Sequence, residues 1–320
     1  VWGEEGLDLG KLAFIFPGQG SQYVGMGKEL FRTPSGTKIK QIAHEVLGSE
    51  FVTLVEEGPE EELQQTANTQ PAILLVSVAA WLQLHEAGFE PDYVAGHSLG
   101  EYSAHVAAGS LDLAEALRLV RRRGELMQEA VPLGEGGMAA ILGLSVDQVE
   151  EACRLATEFG VVAPANYNCP GQVVISGEML AVAHAIEFAK ELGAKRAIPL
   201  VVSGPFHSRL MEGAGEELRS VLESVPWQIP RCPVIANIDA TEVISPERMV
   251  STLVNQVSGA VRWEQSVRHL LNLGVDTFIE CGPGKVLTGL MKKIAPGVNL
   301  FRVEDMESLE KSLAYLKESR

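Results

Sequence analysis

Cysteine is scarce in this chain: its 320 residues include four, Cys153, Cys169, Cys232 and Cys281. None is paired as CxxC, and no HExxH or Cys/His cluster has zinc-ligand spacing, so neither a disulfide-stapled fold nor a metal centre is expected. The four are read as free thiols in a reducing compartment. Cationic residues are also few, 26 Lys and Arg against 42 Asp and Glu, for a formal net charge of −16. Phosphate recognition needs a basic surface, so nucleic-acid binding is excluded and small-molecule or protein partners are favoured. No apolar run approaches the roughly 18 residues that a membrane-spanning helix needs. Residues 1–10 are acidic and glycine-rich, lack the basic-then-apolar order of a signal peptide, and open on Val rather than Met. That segment is set aside from the fold reading, and the expected compartment is the cytoplasm. Neither an internal repeat nor a low-complexity stretch occurs.

What is present is a globular balance, 46% hydrophobic and 21% charged residues. A chain of this length holds one large domain or two of ordinary size and can bury a core without covalent staples. Residues 12–16 (LAFIF) form a short apolar run stopped by Pro17-Gly18, which predicts a buried strand. Residues 71–85 are rich in Ala and Leu and predict a buried helix. Residues 93–96, 233–237 and 275–282 read as further strands, and 112–127 as a helix. Strands alternating with helices imply a parallel sheet covered on both faces.

One stretch breaks that rhythm. Between residues 136 and 202 the order reads strand (MAAILGL), helix, strand (VVAPANYN), strand (QVVISG), helix (179–192) and strand (AKRAIPLVV). Ser145 followed by Gln148 predicts a capping-box helix start, and Asn168-Cys169-Pro170-Gly171 the turn between the middle strands. The order βαββαβ is the ferredoxin-like pattern. The expected architecture is α/β: a discontinuous large domain, residues 11–134 and 204–320, with a small α+β domain, residues 135–203, inserted near its middle.

Gly96-His97-Ser98-Leu99-Gly100 matches G-x-S-x-G, after a predicted strand and before a helix-compatible run at 101–108. In that context the serine sits on a tight strand-to-helix turn that exposes its Oγ. The helix N-terminus offers unpaired N–H groups, with Leu99 N–H the natural oxyanion donor. The alternative is a glycine-rich turn with an incidental serine. A serine needs a base, and His207, in Ser203-Gly204-Pro205-Phe206-His207-Ser208, lies on a loop at the domain junction, where clefts form. His44, His85, His105, His184 and His269 fall in helical patterns, and His97 is expected to point away from its neighbour Ser98.

In the helix after Asp112, Leu113, Ala116, Leu117, Val120, Gly124 and Met127 mark a core-facing stripe, and continuing it from Val120 reaches Arg123. A buried guanidinium needs an anion. That anion is either a core carboxylate in a structural ion pair or a substrate carboxylate gripped bidentately. The loop Phe16-Pro17-Gly18-Gln19-Gly20-Ser21 has Tyr at position 23, so G-x-G-x-x-G fails, and no Gly-Lys-Ser/Thr follows. Placed at a strand's carboxyl end, it can still line a site. Gly282-Pro283-Gly284 reads as a tight turn.

These segments together resemble the malonyl-CoA:acyl carrier protein transacylases of fatty acid synthesis. The matching pieces are FPGQGSQYVGMG (16–27), GHSLGEYSA (96–104), RRRGELMQ (121–128), ANYNCPGQVVISG (165–177), GPFHS (204–208) and ECGPGKVL (280–287), in family order and spanning nearly the whole chain. The resemblance implies an α/β-hydrolase-like large domain with a ferredoxin-like small one. It also implies malonyl transfer from coenzyme A to the phosphopantetheine thiol of an acyl carrier protein. In that scheme Ser98 forms a malonyl ester, His207 is general base and then acid, and the N–H groups of Gln19 and Leu99 form the oxyanion hole. Arg123 pairs with the malonyl carboxylate, and the Gln256 carbonyl orients the histidine. His97, Asn168 and Phe206 line the substrate, with Phe206 matching the pattern of malonyl-preferring domains. No Asp third member is expected, and neither is a permanently bound cofactor; the coenzyme A thioester is substrate. A monomer is the expected assembly.

An acidic carrier protein facing a chain of this charge needs a local basic patch. Lys285, Lys292 and Lys293, with Lys195 and Arg196, are the candidates, the alternative being ordinary solvated charges. Competing readings are a serine thioesterase or hydrolase, an acyltransferase for another carboxylated acyl-CoA such as methylmalonyl-CoA, and a non-catalytic carrier-binding module. Arg123 and the missing Asp between serine and histidine argue against the hydrolase.

Overall fold

The computed structural model describes residues 10–319, so the reading of the opening segment falls outside the described residues except at Gly10. Ten strands occur among them: β1 (Lys11–Phe16), β2 (Tyr93–Gly96), β3 (Gly136–Leu142), β4 (Val162–Cys169), β5 (Gln172–Glu178), β6 (Arg196–Pro199), β7 (Val234–Ile235), β8 (Glu242–Val243), β9 (Val275–Cys281) and β10 (Asn299–Val303). They form a six-stranded sheet in the order β10-β9-β1-β2-β7-β8 and a four-stranded sheet in the order β4-β5-β3-β6. The larger sheet is parallel except at its edge, where β8 runs antiparallel to β7. The smaller is antiparallel throughout.

The β1 run is central because it is apolar on both faces. Leu12, Phe14 and Phe16 enter one hydrophobic cluster while Ala13 and Ile15 enter another, so the period-2 alternation feeds a core on each side of the sheet. A third cluster, including Ile141, Val149, Ile175 and Val182, seals the smaller sheet under helices Val146–Ala156 and Met179–Glu191. The Ser145–Gln148 capping box forms as read. Gly171, at φ 73°, makes the turn between β4 and β5.

Three elements depart from the sequence reading. The buried helix begins at Thr66 rather than at Pro71 and runs to Glu86. Pro71 lies little more than a turn inside it, where its ring costs one backbone bond. The strand expected over 233–237 shrinks to β7, because Asn237 turns out of the ladder to bond the chain before Ser98. The strand expected over 194–202 shrinks to β6: its register ends at Pro199, Leu200 N–H makes one last bond to the Met138 carbonyl, and Val201 is fully exposed. Helix Leu113–Glu129, capped by Asp112, packs on the Thr66–Glu86 helix through Gly124. A Cβ there would meet the Thr66 carbonyl at 2.8 Å. That close approach carries Arg123 into the interior.

No helix among the described residues is long and apolar enough to cross a membrane. All four cysteines are unpaired. No cluster of metal-ligating side chains occurs among the described residues.

Candidate active site

Strand β2 ends at Gly96, and a helix begins at Gly100. Between them Ser98 adopts φ 51°, a left-handed conformation uncommon for a side chain-bearing residue. The turn closes only because its flanks lack side chains. A Cβ on Gly96 would lie 1.9 Å from the Gly100 carbonyl carbon, and one on Gly100 would lie 2.1 Å from the Phe16 carbonyl oxygen. Backbone atoms cannot yield as a side chain does, so Gly96→Ala is expected to destabilise the fold by about 3 kcal/mol. Urea unfolding of the variant measures this; an unchanged midpoint would contradict the packing argument.

Ser98 Oγ lies 2.7 Å from His207 Nε2. His207 is buried, itself at φ 58°, and its Nδ1 donates to the carbonyls of Gln256 (2.9 Å) and Gly259 (3.2 Å). Two carbonyl acceptors fix the proton on Nδ1 and leave Nε2 free to accept from the serine. Burial pushes the imidazole pKa down to about 3, and the Arg123 cation pushes it the same way. A lowered pKa keeps the base neutral as pH falls. Acylation of Ser98 is therefore expected to hold its rate from pH 8 to 5, where an imidazole of ordinary pKa would lose about 30-fold. Single-turnover rates across that range check this; a fall centred near pH 6.5 would contradict it.

Arg123 is 1% exposed. It donates to Gln70 Oε1 (2.8 Å), Gln256 Oε1 (2.9 Å) and Ser98 Oγ (3.2 Å), while its Nε has no partner. The Tyr102 ring lies 5.4 Å from the guanidinium carbon. None of the hydrogen-bond acceptors is a carboxylate, so the structural ion pair, one of the two sequence-based alternatives, does not form. Burial lowers the pKa of this cation.

The loop after β1 presses against the turn: a Cβ on Gly18 would sit 2.4 Å from the His97 carbonyl oxygen. Gln19 of that loop and Leu99 of the turn both line the cavity. The backbone N–H of neither is hydrogen-bonded among the described residues. The cavity holds about 250 Å³ and contains Ser98, His207 and Arg123. Met127, Met138, Val174, Phe206 and Leu290 give it an apolar lining.

His97, expected to point away, stands on the cavity wall with Nε2 2.8 Å from Asn168 Oδ1 of β4. Burial lowers its pKa, against the opposing effect of the Asn168 hydrogen bond. Phe206, 6% exposed, lines the same space. The remaining histidines lie elsewhere: His105 bonds Ser110, His269 bonds Glu242, His85 pairs with Glu90 and His184 stacks on Phe159. His44 is exposed.

Four participants escaped the sequence reading. Gln70 is a buried amide in the second turn of the Thr66–Glu86 helix, one residue before Pro71. Asn237 accepts the Ser98 N–H at 2.6 Å, and Gly259 supplies a carbonyl to His207. Glu101 is fully buried, and burial pushes its pKa up to about 7 against the opposing effect of Asn237 N–H, Gln256 and Arg123. A charged residue beside a nucleophile motif was the one available signal.

Lys285, Lys292 and Lys293 are exposed around helix Val286–Ile294, whose Val286, Leu287 and Leu290 line the cavity. Lys195 and Arg196 are exposed at the start of β6.

The acyl transferase domain family model matches residues 13–308. The malonyl CoA-acyl carrier protein transacylase of Bacillus subtilis is 48% identical over 97% of this chain and 98% of its own length. That of Staphylococcus aureus (strain MW2) is 42% identical over 94% and 98%. The crystal structure of an acyl carrier protein S-malonyltransferase from Vibrio cholerae superposes with a TM-score of 0.92 at 46% identity, covering 94% of this chain and 99% of that one. A malonyl-transacylase solved in complex with its type II PKS acyl-carrier protein gives 0.93 at 45% identity, covering 95% and 99%. With serine, histidine and arginine gathered in one cavity and likeness along nearly the full length, this chain belongs to the acyl transferase domain family and, within it, to the malonyl CoA-acyl carrier protein transacylases.

Proposed function

We propose that the protein transfers malonyl from malonyl-CoA to the phosphopantetheine thiol of an acyl carrier protein, supplying extender units for fatty acid synthesis. The observation that carries this reading is Arg123, a buried guanidinium 3.2 Å from Ser98 Oγ whose other acceptors are neutral amides. It suits an acyl group with a carboxylate at its far end.

In the first half-reaction His207 Nε2 takes the Ser98 proton as Oγ attacks the thioester carbonyl. The N–H groups of Gln19 and Leu99 receive the oxyanion, and collapse expels the coenzyme A sulfur, which takes the proton from His207. In the second, the carrier thiol gives its proton to His207 and attacks the malonyl ester. Collapse then returns the proton to Ser98 Oγ. The Gln256 carbonyl keeps His207 in register, and His97, Asn168 and Phe206 shape the acyl and pantetheine space. The apolar lining disfavours water, the competing nucleophile. Coenzyme A enters as a substrate thioester, and no step needs a resident cofactor.

The six-stranded sheet fits an α/β-hydrolase-like domain, residues 11–134 and 204–320. The β4-β5-β3-β6 order fits a ferredoxin-like insert, residues 135–203. Lys285, Lys292 and Lys293 flank the cavity-lining helix, which suits them to dock an acidic carrier, with Lys195 and Arg196 a second pair of exposed cations at the far edge of the smaller sheet. Four unpaired thiols fit a cytoplasmic location, and a monomer suffices because one chain supplies every reacting group. Intact-mass analysis after incubation with malonyl-CoA tests the reading. A malonyl adduct on Ser98 that passes to a carrier thiol is expected; steady release of free malonate without an acceptor would favour a hydrolase.

A further inference from the structure

Beneath the nucleophile turn lies a carboxylate that the reaction above does not use. Glu101 sits in the first turn of helix Gly100–Ala107 and is fully buried. Its Oε2 accepts from the Asn237 backbone N–H at 2.9 Å and from Gln256 Nε2 at 2.8 Å. Both partners reach the reacting groups. Asn237 Oδ1 accepts the Ser98 N–H at 2.6 Å, and its Nδ2 donates to the Gly96 carbonyl at 2.6 Å. Gln256 donates through Nε2 to the Ser98 carbonyl at 2.9 Å, and its Oε1 accepts from Arg123 at 2.9 Å. Its backbone carbonyl accepts from His207 Nδ1.

Glu101 Oε2 only accepts hydrogen bonds, since a proton taken up by the group has the unpartnered Oε1 to sit on, whereas an amide presents a donor on one side and an acceptor on the other. Glu101 and the Ser98 carbonyl therefore both require the NH2 of Gln256, and its oxygen is left for Arg123. With the amide reversed, oxygen would face two acceptors and NH2 would face a guanidinium, which only donates. The arrangement has a cost, since a buried carboxylate without an ion pair is unfavourable. Closing the turn does not require it, because Asn237 already bonds the turn at both ends. What Glu101 adds is the orientation of the amide that receives Arg123.

Granting the malonyl-transfer reading above, we infer that Glu101 is a positioning residue for acyl selectivity, holding the Gln256 amide so that the Arg123 guanidinium stays beside Ser98 for a carboxylate. Glu101→Gln keeps the shape and an acceptor for Asn237 but removes the acceptor-only constraint. The expected result is a fall of about tenfold in kcat/KM for malonyl-CoA, the size of one weakened charge-assisted hydrogen bond. Acetyl-CoA, whose acyl group does not need the guanidinium, should change by less than about threefold, so the malonyl-to-acetyl ratio falls. In a Gln256→Met background the same substitution should no longer move the ratio, because the link runs through that amide. Equal losses for both substrates, an unchanged ratio, or a full effect persisting in the Gln256→Met background would overturn the proposal. If Glu101→Gln fails to fold, Glu101→Asp decides in its place: drawing the carboxylate back from Gln256 should lower the ratio, and an unchanged ratio ends the proposal. Wild-type protein that forms no malonyl adduct would instead remove the functional reading on which the inference rests.

Discussion

Ser98→Ala is expected to lose malonyl transfer by about 10⁴-fold or more, with no mass adduct after malonyl-CoA. The substitution removes one oxygen from a constellation that otherwise persists. The Ser98 N–H to Asn237 and the Ser98 carbonyl to Gln256 are backbone bonds, and neither needs the hydroxyl. His207 keeps both carbonyl partners. Alanine tolerates φ 51° about as poorly as serine, so the turn gains no new strain. The thermal midpoint should therefore stay close to wild type while chemistry stops, a combination that separates a nucleophile from a structural serine. An adduct of unchanged stoichiometry in the variant would place the acyl group on another residue.

The second large effect is expected at Arg123. Arg123→Ala should reduce malonyl transfer by about 10²- to 10³-fold, the cost of leaving a buried carboxylate without its cation. Acetyl transfer should fall far less, because a methyl group makes no use of the guanidinium. The ratio of the two rates, measured on one preparation, cancels any loss of folded protein. Truncation also leaves Gln70 Oε1 and Gln256 Oε1 without their shared donor, so a lower thermal midpoint is expected beside the kinetic effect. Arg123→Lys retains charge but lacks the planar fork, and its ratio should fall between the two. Equal loss for malonyl and acetyl would end the carboxylate-grip reading.

The parts of this site that the sequence made legible are those that local pattern specifies. The turn at Ser98 was readable because glycines on both sides of a serine, after an apolar run, have few other uses. Arg123 was readable because helical periodicity is regular enough to place one of three consecutive arginines on the core face. His207 needed the loop argument, and Gln256 needed the family resemblance. Gln70, Asn237 and Gly259 were not legible because their roles depend on which distant segments meet. Asn237 approaches Gly96 only because β7 lies next to β2 in the sheet, an adjacency that no window of sequence reports. The same cause explains the short strands. Local propensity favoured strand over 233–237, but the long-range bonds of Asn237 took the chain out of the ladder. Strand β6, at the edge of its sheet, makes its last bond to β3 at Leu200 and then leaves the ladder.

Strands β3, β4 and β5 line the cavity with Met138, Ala140, Asn166, Asn168, Gln172 and Val174, yet the nucleophile, base and guanidinium all come from outside that stretch. The acyl-gripping guanidinium and the reacting groups thus share the flanking passages of the gene, and the middle one supplies wall rather than grip. A chimera carrying this middle segment from a relative would therefore keep the host's taste for a carboxylated acyl chain along with its turnover machinery.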